Sequence, residues 1–271
     1  MTKVFTATLL ADMVLTGMVA LDDPVQDYLP DGVVLGVRGR PITLVDLATH
    51  TSGLPRLPRG MLRRSLQEHR NPYARYSVHD LYAALPATRL KNAPGAKIRY
   101  SNFGFGLLGH VLSLRAGRSY GQLLRERICQ PLGLHDTGIS VPVAARPRFA
   151  RGHNRRGRPV PHWDIPTLAR AGVLRSTVGD LLAFLRLHLH GTGSALAEAA
   201  ALTHEPRALR GRVAMCLGWL QLSPRGQQVL FHDGGTGGFR SFVGMVKETC
   251  TAVVILSNTR PGQSLLLAFD C

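Results

Sequence analysis

Lys3 stands at the start of a mostly apolar stretch, TKVFTATLLADMVLTGMV, in a chain that otherwise prefers arginine. Of its 33 basic residues only Lys3, Lys91, Lys97 and Lys247 are lysines. Arginine is never deprotonated in a protein. A lysine desolvated near other cations can lose its proton near neutral pH and accept one from a nucleophile. A serine three residues earlier would share its helix face and lie within reach of that amine. The helix N-terminus would also favour negative charge developing there.

Two further stretches can do chemistry. Tyr100-Ser101-Asn102 falls where an extended segment turns into a helix. A phenol near a lysine can shuttle a proton, and an amide beside it can orient a carbonyl, although a tyrosine is more often a core residue with a bonded tip. In His232-Asp233-Gly234-Gly235-Thr236-Gly237-Gly238 the glycines serve either a tight turn or the close approach of a ligand to backbone. A strand edge free of side chains can line a substrate and donate N–H groups to an oxyanion.

The pattern of elements has to bring these stretches together. Residues 3–20 read as a helix with Val4, Leu9, Met13, Val14 and Met18 for core packing and Gly17 as its weak point. Asp22, Asp23 and Pro24 end it. Thr43 and Ser77 each precede a short helix as caps, and Ser176 is expected to cap a helix running to His190. Residues 104–116 and 119–129 are helical in period, and 138–170 are rich in loops. QQVLFHDGG, FRSFVGMVKE and TAVVILSNT then read as three strands of an antiparallel meander. Helices first and strands last predict an α+β fold.

These pieces together resemble the serine β-lactamase and penicillin-binding-protein superfamily, in its class C, DD-peptidase and esterase branch. TKVFTATLLADMVLTGMVALDDPVQDYLP is similar to its nucleophile helix. HTSGLP, PGAKIRYSNFGFGLLGHVL, ICQPLGLHDTGIS, AGVLRSTVGDLLAFL, CLGW and HDGGTGGFRSF follow in the family's order. The resemblance implies acyl transfer from a lactam, D-alanyl peptide or ester, without cofactor or metal. It assigns proton transfer to Lys3 and Tyr100, substrate orientation to Asn102, and proton or carboxylate contacts to His232. Gly234, Gly235 and Thr236 form the substrate-binding strand, with one oxyanion N–H from Gly235. It also implies an α/β sandwich, an antiparallel sheet flanked by helices plus an all-helical lobe. The whole of 1–271 is then one domain, with the lobe in roughly 21–200 and the C-terminal strands in 211–260.

The sequence departs from that pattern at its start. The serine of Ser-x-x-Lys falls one position before Met1. The expectation is therefore a chain lacking the family's first strands and last helix, with exposed apolar faces, and inactive as it stands. The alternative is a non-catalytic homologue that binds peptidoglycan-like or acyl ligands. Thr2 adjoins Lys3 and points elsewhere, Ser101 is expected to assist protonation, Ser52 to shape a loop, and His50 and His110 to be structural. Asp22 and Asp23 lack histidines at ligand spacing, which argues against a metal.

Bulk properties restrict the rest. The net charge is +16, with basic runs at Arg56–Arg75 and Arg146–Arg158. No nucleic-acid-binding motif accompanies them, so a solvated arginine-rich surface is expected and no nucleic-acid partner. Cys129, Cys216, Cys250 and Cys271 form no CxxC pair, which leaves buried free thiols as the default. The chain as given has neither a signal peptide nor an apolar run of membrane-spanning length.

Overall fold

The fold is built around one helix that is buried on every side. In the computed structural model the described residues are 1–59, 61, 71, 73–163, 165, 167 and 172–259. Helix α1, Thr2–Leu15, is buried at every position from Thr2 to Met13. Such a helix must be wrapped by other elements. Phe5 stacks on Phe184 with ring centroids 3.8 Å apart, and the Thr6 hydroxyl bonds Tyr120 at 2.8 Å. Asp12, the one acid in the helix, is neutralised by Arg127 at 2.6 Å. The helix ends five residues short of the expected 20. Gly17, at φ +67°, takes the left-handed conformation that terminates it.

The other helices are α2 (Leu44–Ala48), α3 (Val78–Ala84), α4 (Asn102–Ala116), α5 (Tyr120–Leu124), α6 (Val178–His190) and α7 (Ala195–Leu202); α4, α5 and α7 pack on α1, α6 reaches it through Phe184, and α2 packs on α4. Alpha-5 runs on into a wider turn over Arg125–Cys129. The caps follow hydrogen-bond chemistry. Thr43 with Asp46, and Ser77 with Asp80, form capping boxes. The cap of α6 is Thr177 rather than Ser176. The Ser176 hydroxyl is engaged with Thr137 at 2.7 Å, so the next hydroxyl takes the helix end.

A short hairpin, β1 (Gly152–His153) with β2 (Pro159–Val160), lies within the loop-rich stretch. The main sheet orders β3 (Ala208–Arg210), β4 (Val213–Met215), β5 (Leu220–Leu222), β6 (Val229–Thr236), β7 (Phe239–Val246) and β8 (Thr251–Ser257) as consecutive antiparallel neighbours. The last three are the meander read from alternation; the first three are too short to show a period. The inner face of β6 and β7 carries Leu230, His232, Val243 and Met245, each at most 4% exposed. Beta-5 pairs only with Val229–Phe231 of β6. Among the described residues, the edge of β6 from His232 to Thr236 on that side therefore has no strand partner.

Much of the basic run Arg56–Arg75, and Cys271, lie outside the described residues. Cys129 and Cys216 are buried free thiols, while Cys250 is exposed. Among the described residues, no helix is long and apolar enough to cross a membrane, and no three His, Cys, Asp or Glu side chains gather to hold a metal.

Candidate active site

The start of α1, the start of α4 and the open edge of β6 meet at one cleft of about 830 Å³. Lys3, Tyr100, Asn102, His232, Gly234, Gly235 and Thr236 all line it. The sequence spreads these residues over more than 230 positions; three elements bring them to one place.

Lys3 is 3% exposed, and its Nζ donates to Asn102 Oδ1 at 2.8 Å. The same Nζ stands 4.9 Å from the centroid of the Tyr100 ring and 5.5 Å from that of Phe105. Its pKa is brought down from 10.5 to about 7. Burial is the main cause, Asp233 opposes it, and Arg56 adds to the fall. At neutral pH a large share of Lys3 is thus an uncharged amine able to accept a proton.

The turn His50–Pro55 positions the second motif. His50 is left-handed, at φ +60°. Its Nδ1 accepts the Ser101 N–H at 3.1 Å, and its carbonyl accepts the Arg99 N–H at 2.8 Å. The imidazole lies under Tyr100 with centroids 4.4 Å apart. Burial, then the charge on Lys3, holds it well below its ordinary pKa, so it is neutral. His50 is structural, as expected, and its particular task is to seat Tyr100. Tyr100 itself is 41% exposed to the cleft. Partial burial and the charge of Asp233 push its phenol up, partly offset by Arg56.

Ser101 departs from expectation. Its hydroxyl accepts the Gly104 N–H at 2.8 Å and donates to the Pro55 carbonyl at 2.7 Å. Both bonds are structural, because the start of α4 needs a cap. Ser52 accepts the Leu54 N–H within its turn. Thr2 accepts the Leu174 N–H at 3.0 Å, which turns its hydroxyl away from Lys3. His110 bonds Tyr82 at 2.8 Å.

His232 is 4% exposed, and its Nδ1 is buried without a hydrogen-bond partner. Burial, then the α-amine of Met1, Lys3 and His50, holds it well below its ordinary pKa. Its imidazole is therefore neutral. Gly234 leaves room for its neighbours: a Cβ there would lie 2.8 Å from Ser241 Oγ and 3.5 Å from the Met1 nitrogen.

Several lining residues carry no motif of their own. Tyr73 is 9% exposed and lines the cleft with Asn102, its ring 5.6 Å from that of Trp163. Trp163 packs close against Gly237, where a Cβ would come within 2.5 Å of the indole. Phe149 stands between His162 and Phe239, with centroids 5.4 and 6.0 Å away. Arg148 is paired with Asp136 at 2.6 and 2.9 Å. The paired glycines at 237–238 were the one available signal that a ring or a ligand approaches there.

Residues 1–268 match the Beta-lactamase family. The chain is 30% identical to the D-alanyl-D-alanine-carboxypeptidase/endopeptidase AmpH of Escherichia coli K12, over 96% of this chain and 70% of that protein. It is 27% identical to a Beta-lactamase of Pseudomonas fluorescens, over 94% of this chain and 77% of that one. Among solved structures, a class C beta lactamase from Rhodobacter sphaeroides superposes with a TM-score of 0.83 at 27% identity, covering 97% of this chain and 79% of its own.

Proposed function

The chain belongs to the Beta-lactamase family, and on that footing we propose that it serves acyl transfer from a lactam, D-alanyl peptide or ester to water. The observation that carries the reading is the Lys3–Asn102 hydrogen bond beside Tyr100, facing the unpaired edge of β6. The family resemblance places the attacking hydroxyl one position ahead of Met1, on the same helix face as Lys3.

In this reading the Lys3 amine takes the hydroxyl proton as oxygen attacks the carbonyl carbon. The tetrahedral oxyanion is met by the Gly235 N–H and the N–H of the attacking residue. Tyr100 relays the proton to the leaving nitrogen or oxygen, whose bond to carbon breaks as the oxyanion collapses back to a carbonyl and leaves the acyl group on the attacking oxygen. Water then repeats the sequence: it gives up a proton, attacks the acyl carbon and releases the acid. Asn102, held by Lys3, orients the substrate. Neutral His232, beside Gly234 and Thr236 on the wall of the cleft, makes the polar or carboxylate contact with the ligand.

The test compares the polypeptide that starts at Met1 with one carrying a serine before Met1. The substrates are a chromogenic cephalosporin and a short-chain nitrophenyl ester. A burst of product in the serine-bearing polypeptide only, with turnover lower by several orders of magnitude in the other, is the expected result. Equal turnover in both would overturn the placement of the nucleophile. Ligand binding without turnover in both would favour the non-catalytic alternative.

A further inference from the structure

Arg56 lies next to the HTSGLP stretch and belongs to none of the motifs, yet it touches two parts of the site. Its carbonyl accepts the N–H of Asn102 at 3.0 Å and of Phe103 at 3.2 Å. These are two of the N–H groups that the first turn of α4 cannot satisfy within the helix. Its guanidinium carbon stands 5.7 Å from the centroid of the Tyr100 ring. Among the described residues it forms no salt bridge, unlike Arg148 in the same cleft.

Several groups face Lys3. From its own helix comes the α-amine of Met1, brought down to about 5 by burial and by Lys3 itself. From β6 come His232 and Asp233, from the turn His50 and Arg56, and from the start of α4 Tyr100 and Asn102. Both imidazoles are held neutral by burial, and so is the phenol. The charges left to act on Lys3 are then Asp233 on one wall, which favours its ammonium, and Arg56 on the other, which disfavours it.

We propose that Arg56 is a positioning residue: its carbonyl fixes the start of α4, and its guanidinium, on the Tyr100 ring that Lys3 also faces, offsets part of the pull of Asp233 and so assists burial in leaving the Lys3 amine able to take a proton. The consequence for turnover rests on the acyl-transfer reading above; the charge state of Lys3 does not. The contacts to α4 come from the backbone carbonyl and the side chain is exposed, so Gln and Lys variants are expected to retain the start of α4.

With only four lysines in the chain, carbon-13 labelling at lysine Cε gives few resonances, and Lys3→Arg identifies the one from Lys3. Its titration midpoint is expected to rise by about half a pH unit in Arg56→Gln, the effect of removing one cation at cleft distances. It is expected to return close to the parent value in Arg56→Lys, which keeps the charge. Asp233→Asn should move it down. In a polypeptide bearing the serine, the rising limb of the rate profile should shift with the midpoint. An unmoved Lys3 resonance in Arg56→Gln would overturn the proposal. So would equal shifts in the Gln and Lys variants, because packing rather than charge would then be responsible.

Discussion

Lys3 concentrates the chemistry of this site. Nothing about a lysine makes it a base at neutral pH except its surroundings, and here burial does most of the work. Arginine at the same place would keep the charge and the hydrogen bond to Asn102, and could not accept a proton. In a polypeptide carrying the serine, kcat/KM should therefore rise with pH through about 7 and then level off, as the amine loses its proton. Lys3→Arg should lower kcat/KM by about 10²–10⁴-fold, measured with the nitrophenyl ester. Were the Arg variant to keep both the rate and the rising limb, proton acceptance would lie with another group.

At the scale of elements, the turn His50–Pro55 is the part that can be broken most selectively. Gly53 is at φ +74°, and a Cβ there would lie 2.3 Å from the carbonyl oxygen of Asn92. The neighbour is backbone and cannot swing aside, so Gly53→Ala should cost about 2 kcal/mol or more in urea unfolding. Gly17 has a similar φ of +67° but open space around it. Gly17→Ala should cost only about 1 kcal/mol, the strain of the conformation alone. Equal losses would mean that the crowding at Gly53 is relieved elsewhere. Gly237→Ala tests another element contact. Its Cβ would displace the indole of Trp163, so the tryptophan emission should shift to the red while the midpoint of unfolding changes little.

The elements also show what the sequence makes legible. Alpha-4, α6 and the β6–β8 meander could be read because each runs for seven residues or more with a clear period or cap. Beta-3 to β5 could not, since three residues define no alternation and their pairing is set by the sheet they join. Alpha-7, rich in alanine, has little polar face to reveal its period. Lys3, Tyr100, Asn102 and His232 were recognisable from motif residues at family spacing. Arg56, Tyr73 and Trp163 were not, because they reach the cleft through loop geometry that only tertiary packing decides. Ser101 shows the converse: a residue within a motif whose hydroxyl is consumed by the helix end.

Across the whole molecule, the buried ionisable groups set opposing limits on pH. His50, His188 and His232 are held well below their ordinary pKa by burial, and His204 is brought down to about 3. His188 and His204 share a hydrogen bond of 2.8 Å beneath Trp219. Each such group is neutral when folded, whereas the unfolded chain takes up a proton below about pH 6.5. The unfolded state then binds more protons, so stability falls as pH drops. The slope reaches about 1.4 kcal/mol per pH unit for each imidazole. Lys3 acts in the same direction between about 7 and 10.5, since the unfolded amine stays protonated there while the folded one does not. Cys129 and Cys216 act the other way. Burial pushes their thiols up to about 11 and about 12, so above pH 9 only the unfolded chain ionises them and stability falls. Urea unfolding from pH 4.5 to 10 should therefore show a maximum near pH 9, with a steep loss on the acid side. His204→Gln retains an amide that can bond His188 and removes one titrating ring. It should make the acid limb shallower by about 1.4 kcal/mol per pH unit, whatever its effect on stability at pH 8. An unchanged acid slope would show that His204 is protonated in the folded protein, and the pair beneath Trp219 would then carry a charge.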